Sequence, residues 1–131
     1  MKATSEYIAV VVVVVVKGLR VASEANQREH WARKARRARD QRGEVAVSLA
    51  GVGAPIRAAL RGARSLQVSF ARVGGRTMDS DNLVGAMKHI RDAVALWLGR
   101  DDGARSGITW VMPVEQESGD YAVRIRIDAG E

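Results

Sequence analysis

Seven consecutive valines, Val10 to Val16, stand inside the stretch YIAVVVVVVVKGLRV, and no other feature narrows the possible folds as much. A branch at Cβ restricts χ1 and crowds a helical turn, so an unbroken β-branched run favours extended backbone. The run has no polar alternation, which is the pattern of a strand covered on both faces, and it therefore reads as a central strand. Seven identical side chains say little about pairing register. The run is too short to cross a membrane, which takes about 20 apolar residues, and no signal-peptide cleavage region accompanies it. A soluble, cytoplasmic protein is expected, and a chain of 131 residues has the size of one domain, residues 1–131.

The remaining elements follow from periodicity and punctuation. Asn26 with Glu29 three residues later has the form of a capping box. Trp31, Ala35, Ala38, Val45 and Leu49 then recur at helical spacing, predicting one long helix over residues 27 to 50, with a break at Gly43 as the alternative. GVGAPIRAALRGARS reads as loop with a short helical turn after Pro55. In SLQVSFARV, Leu66, Val68 and Phe70 alternate with smaller or polar residues, the mark of a strand with one buried face. A second helix is expected from Asp81 to Trp97. GITWVMPV and YAVRIRIDA supply two closing strands, with EQESGD as the hairpin loop between them. The order β-α-β-α-β-β gives an α+β fold, two main helices on a mixed or largely antiparallel sheet of about four strands.

Charge points to a partner. The formal net charge is +6, and Asn26 to Arg42 holds seven Arg or Lys against Glu29 and Asp40 alone. Like charges packed over about four turns repel one another unless a counter-charge arrives, and nucleic-acid phosphate is the natural one. Arg28, Arg33, Lys34, Arg36 and Arg37 are the DNA-binding candidates in this segment, with Arg72 and Arg76 further along. Trp31 reads as the core anchor of its helix, and Trp97 and Trp110 also read as core. His30 reads as a surface residue.

Acidic residues cluster in RTMDSDNLVGAMKHIRDAVALWLGRDDG. At about 100° per residue, Leu83, Ala86, Met87, Ile90, Val94 and Trp97 share the side opposite Asp81, leaving Asp81, Gly85, Lys88 and Asp92 as an exposed stripe. Asp79 and Asp81 straddle a helix start, where residues two apart in extended backbone point the same way and can share a cation. Each acidic pair also has an ordinary explanation, Asp79 or Ser80 as N-cap, Asp81 as a first-turn acid, and Asp101-Asp102-Gly103 as a turn after a C-cap at Gly99. With no cysteine and two histidines, any metal must be held mainly by carboxylates, which suits Mg²⁺ or Mn²⁺. Four acids at the two ends of one helix in a basic chain fit a site where a divalent cation bridges carboxylates and a phosphodiester.

The run Asp79-Ser80-Asp81-Asn82-Leu83, followed about twenty residues later by Asp101-Asp102, resembles the RusA family of Holliday junction resolvases, and in particular its phage-borne branch. IRDAVALWLGRDDG, NQREHW and the terminal YAVRIRI are similar to that branch as well, so the resemblance covers most of the chain. It implies a homodimeric, Mg²⁺-dependent endonuclease that nicks branched DNA at a four-way junction. By position, Asp79 and Asp81 would be metal ligands and Asp102 the third acid, with Asp101 the lesser candidate of its pair. The family places a lysine four residues beyond the second aspartate. Gly85 stands there in this chain, and Lys88, one turn on, is the candidate for its role. A non-catalytic basic nucleic-acid-binding protein is the alternative.

One geometric condition follows. A straight helix from Asp81 to Trp97 is about 24 Å long, whereas the five residues to Asp102 return at most roughly 17 Å. A shorter helix with the chain folding back is expected, or else Asp102 completes the site of a partner subunit.

Overall fold

The computed structural model describes residues 10–21, 31–101, 103, 105–112 and 114–130. In chain order the elements are β1 (Val10–Lys17), α1 (Trp31–Ala50), α2 (Ala54–Gly62), β2 (Leu66–Gly74), α3 (Ser80–Ala86), α4 (Lys88–Trp97), β3 (Ile108–Trp110), β4 (Glu115–Ser118) and β5 (Ala122–Ala129). The fold is α+β, with a five-stranded mixed sheet. Its path is β1-β5-β2-β3, with β4 also paired to β2. β1 and β2 run antiparallel to β5, whereas β3 and β4 lie parallel to successive parts of β2.

The inner face of the sheet is set by alternation. Val12, Val16, Val68, Phe70, Ile125 and Ile127 are buried there, against Leu49, Leu83, Met87, Ile90 and Val94 from the helices. Each such side chain contributes about 1.5–3 kcal/mol by leaving water, offsetting the entropy of ordering the chain. All six residues expected on the inner side of the Asp81–Trp97 segment are buried.

The valine run is a strand, but not a central one. β1 is the last strand of the sheet on its side, and Val11, Val13 and Val15 are 46%, 54% and 47% exposed. The central positions go to β5 and β2, whose patterns specify an inner face, while a homopolymer presents valine equally to core and solvent. α1 continues through Gly43 without a break. Its buried residues are Ala38, Gln41, Val45 and Leu49, and Trp31, expected as an anchor, is 75% exposed. Ala35 is exposed too, because α1 turns its first turns away from the core. The turn after Pro55 is a nine-residue helix with proline in its first turn.

Two further expectations change. The chain after Gly107 forms β3, leaves the strand conformation, and resumes as β4 along the same edge of β2. Pro113 carries no amide hydrogen for a ladder and falls between the two pieces. EQES is therefore a strand and not a hairpin loop. β4 does not pair with β5; the chain turns through Gly119, whose N–H donates to Gly74 O at 3.3 Å, and enters β5 on the opposite edge of β2. The Asp81–Trp97 helix is likewise two helices. Met87 separates them at φ −86°, ψ −3°, its N–H shared between the carbonyls of Leu83 at 3.1 Å and Val84 at 3.3 Å.

Candidate metal and nucleic-acid site

β2 delivers the chain to the aspartates, and its parity explains how the delivery is fixed. Arg72 follows Leu66, Val68 and Phe70 at every second position, so it points to the inner face and is only 6% exposed. Its Nε donates to Val21 O at 3.3 Å, and its Nη1 donates to Arg76 O at 2.6 Å and Gln116 Oε1 at 3.3 Å. One guanidinium thus joins the segment after β1, the loop after β2, and β4. Gly74 permits it: a Cβ there would lie 2.9 Å from Arg72 Nη2.

Gln116 completes the arrangement. Met78 N–H donates to its Oε1 at 2.8 Å, and its Nε2 donates to Met78 O at 2.9 Å. A side-chain amide thereby imitates a strand partner for the residue immediately before Asp79. Asp79 then sits at the N-cap of α3 with φ −59° and ψ 144°, and Leu83 N–H donates to its carbonyl at 2.9 Å. Its side chain makes no capping hydrogen bond. Asp79 and Asp81 are both exposed, and neither carboxylate forms an ion pair among the described residues.

Asp79 therefore occupies the N-cap position without using its carboxylate there. Two exposed carboxylates suit a hard cation, since Mg²⁺ is commonly held by one or two carboxylates with water and substrate phosphate completing its shell. Among the described residues, no three acidic or histidine side chains are grouped to hold an ion. Asp102, the expected third acid, and Arg28 lie outside the described residues, as does His30. Asp101 behaves as a turn residue, its Oδ1 accepting from Gly103 N–H at 2.8 Å. α4 ends as expected at Gly99, with φ +72°; Gly99 N–H donates to Leu96 O at 3.0 Å and Arg100 N–H to Ala95 O at 2.9 Å.

Lys88 opens α4 just past Met87 and is exposed. Gly85 is exposed as well, with open space where a side chain would project. On α1, Arg33, Lys34, Arg36, Arg39 and Arg42 are exposed, and Arg37 is half-buried. Arg42 Nη1 lies 3.5 Å from His89 Nδ1, which brings the basic helix beside α4. Arg76 is exposed in the loop before the aspartates. Arg72, expected from the sequence as a DNA-binding residue, has a structural role as well, and Gln116 is a structural residue that the sequence does not announce.

The outer face of the sheet differs in electrostatics. Arg124 pairs with Glu117, and Arg126 with Asp128 at 3.1 Å. The hydrogen bond from Arg124 holds the Glu117 carboxyl below its ordinary pKa, and the same bond raises that of Arg124. Arginines on that face are thus neutralised locally. Trp97 is buried with Arg57 over its ring at 5.6 Å, and half-buried Trp110 stacks on Phe70 with centroids 6.0 Å apart, so both serve packing. Among the described residues, no single helix is long and apolar enough to cross a membrane. Comparison of the chain with protein-family models, curated proteins and solved structures finds no match.

Proposed function

We propose that the protein is a homodimeric, Mg²⁺-dependent, structure-selective DNA endonuclease that resolves Holliday junctions and related branched DNA by paired phosphodiester hydrolysis, acting in the cytoplasm. Mn²⁺ is the expected substitute ion. The observation that carries this reading is the pair Asp79 and Asp81, two exposed carboxylates free of ion pairs among the described residues and set beside a backbone held by Gln116 and Arg72.

Asp79 and Asp81 would hold the cation, with Asp102 as third ligand. The bound cation supplies Lewis acidity for attack of water on the phosphodiester and offsets repulsion between carboxylates and phosphate. Lys88, exposed at the start of α4, would donate to a phosphate or leaving oxygen. Arg33, Lys34 and Arg36 would bind the DNA backbone, with Arg28, Arg37 and Arg76 adding to that surface. Met87 interrupts the segment, so that α3 and α4 are two helices and not one. Two sites in a two-fold dimer suit the two strands cut in a two-fold junction.

A non-catalytic nucleic-acid-binding protein is the second reading. Asp101, in its own turn, favours it. A labelled synthetic four-way junction incubated with Mg²⁺ separates the two. Paired nicks by the parent, abolished in Asp81→Asn while binding persists, support the nuclease. Binding without nicking in either Mg²⁺ or Mn²⁺ supports the second reading.

A further inference from the structure

We propose that Arg20, Arg72, Arg76 and Tyr121 form a pocket that grips one phosphate of the DNA backbone immediately beside Asp79. The inference rests on the nucleic-acid-binding part of the reading above and not on catalysis.

Arg72 supplies the first reason. All three of its hydrogen bonds go to neutral oxygens, Val21 O, Arg76 O and Gln116 Oε1, and no carboxylate pairs with it among the described residues. A buried guanidinium without a counter-charge is costly, and an arriving anion offsets that cost. Arg124 and Arg126 on the outer face, by contrast, each have a carboxylate partner.

The surroundings of Arg72 supply the second. Arg20, Arg72, Arg76 and Tyr121 line one concavity of about 620 Å³ together with Val21, Gly75 and Met78, and among the described residues no acidic side chain lines it. Arg20 is held with its guanidinium carbon 5.2 Å from the centre of the Tyr121 ring, which limits the side-chain freedom lost on binding. Guanidinium forks match the oxygens of phosphate, and a tyrosine hydroxyl adds a neutral donor.

Position supplies the third. Met78 at the pocket wall precedes Asp79 directly. Arg20 also lines a second concavity with Arg33, Arg36, Asp40 and Glu44 of α1, so the pocket adjoins the basic helix as well as the segment leading to the aspartates. A phosphate held there would set the register of the strand passing the carboxylates. The same chemistry would accept a free phosphate ion, so both sources enter the test.

The double variant Arg20→Ala/Arg76→Ala leaves the buried Arg72 in place, and Arg126→Ala on the outer face serves as control. Binding to a labelled four-way junction is measured without divalent metal over a range of salt, and inorganic phosphate is titrated into the parent with arginine side-chain NMR signals as readout. Junction binding should weaken roughly tenfold or more in the double variant, with the salt slope reduced by about 0.9 for the one phosphate lost and the thermal midpoint unchanged. Arg126→Ala should bind as the parent does. Shifts of the Arg20 and Arg76 signals by free phosphate, absent in the double variant, would show that the pocket takes the ion by itself. Weakened DNA binding without such shifts would define it as a site for backbone diester alone. Parental affinity and slope in the double variant would overturn the pocket, whatever free phosphate does. Failure of the nuclease reading would appear separately, as junction that is bound and never nicked.

Discussion

Replacing Gln116 by leucine removes the side chain that holds Met78 in place and keeps nearly the same volume. The wild-type amide accepts from Met78 N–H at 2.8 Å, donates to Met78 O at 2.9 Å, and accepts from Arg72 Nη1 at 3.3 Å. A neutral hydrogen bond contributes about 0.5–1.5 kcal/mol net, and the long bond from the guanidinium belongs near the lower end of the range for charged donors. Because Met78 and Gln116 are half-exposed, water takes over part of what is lost, and the sum comes to about 2 kcal/mol. That is a substantial share of the roughly 5–15 kcal/mol that holds such a domain folded. Urea unfolding measures it, with the midpoint falling at unchanged slope. Gln116→Glu keeps the acceptor for Met78 N–H and sets a charge opposite Arg72 while losing the donor to Met78 O, so it should destabilise less than leucine. Junction nicking by the leucine variant should fall further than its folded fraction does, because the residue before Asp79 loses its partner. A stability change below about 0.5 kcal/mol, the range of an ordinary surface substitution, would refute the account of how the aspartates are placed.

Other expected outcomes are simpler to state. Gly85→Lys puts an ammonium four residues beyond Asp81 into open space, so junction nicking should rise, and the helix should gain up to about 1 kcal/mol in stability; reduced nicking with a well-folded protein would count against the lysine's role. Val12→Ala should cost about 1–3 kcal/mol in urea unfolding, whereas Val13→Thr should stay within about 0.5 kcal/mol, since alternate valines of β1 face core and solvent; equal costs would mean that both faces are buried.

What the sequence disclosed varied with the physics of each element. Leu83, Met87, Ile90, Val94 and Trp97 could be placed in the core because helical periodicity survives the interruption at Met87, where residue spacing stays close to helical. Gly99 could be placed because a left-handed C-cap strongly favours glycine. The edge position of β1 was hidden, since a valine homopolymer looks alike on both faces. Trp31 was misplaced because its spacing fits the helix, yet it is exposed and the buried residues of α1 begin only at Ala38. β4 was hidden for a different reason: EQES has the composition of a turn, and only its parallel pairing with β2 makes it a strand. Arg72 had a signal, its parity with Leu66, Val68 and Phe70, which marks an arginine at an inward position. Gln116 had none, because a side chain that pairs with backbone some 38 residues away leaves no local pattern. The exposed carboxylates of Asp79 and Asp81 were visible as a motif, while the lack of a capping bond by Asp79 required the structure.

The most direct test of the central claim is where a divalent ion settles. In a titration of the protein with Mn²⁺ followed by amide NMR, paramagnetic broadening should begin at Met78 to Asn82, be relieved by excess Mg²⁺, and be lost in Asp79→Asn/Asp81→Asn. Broadening centred elsewhere, or unchanged in that double variant, would contradict the assignment of these two aspartates as the metal-holding pair.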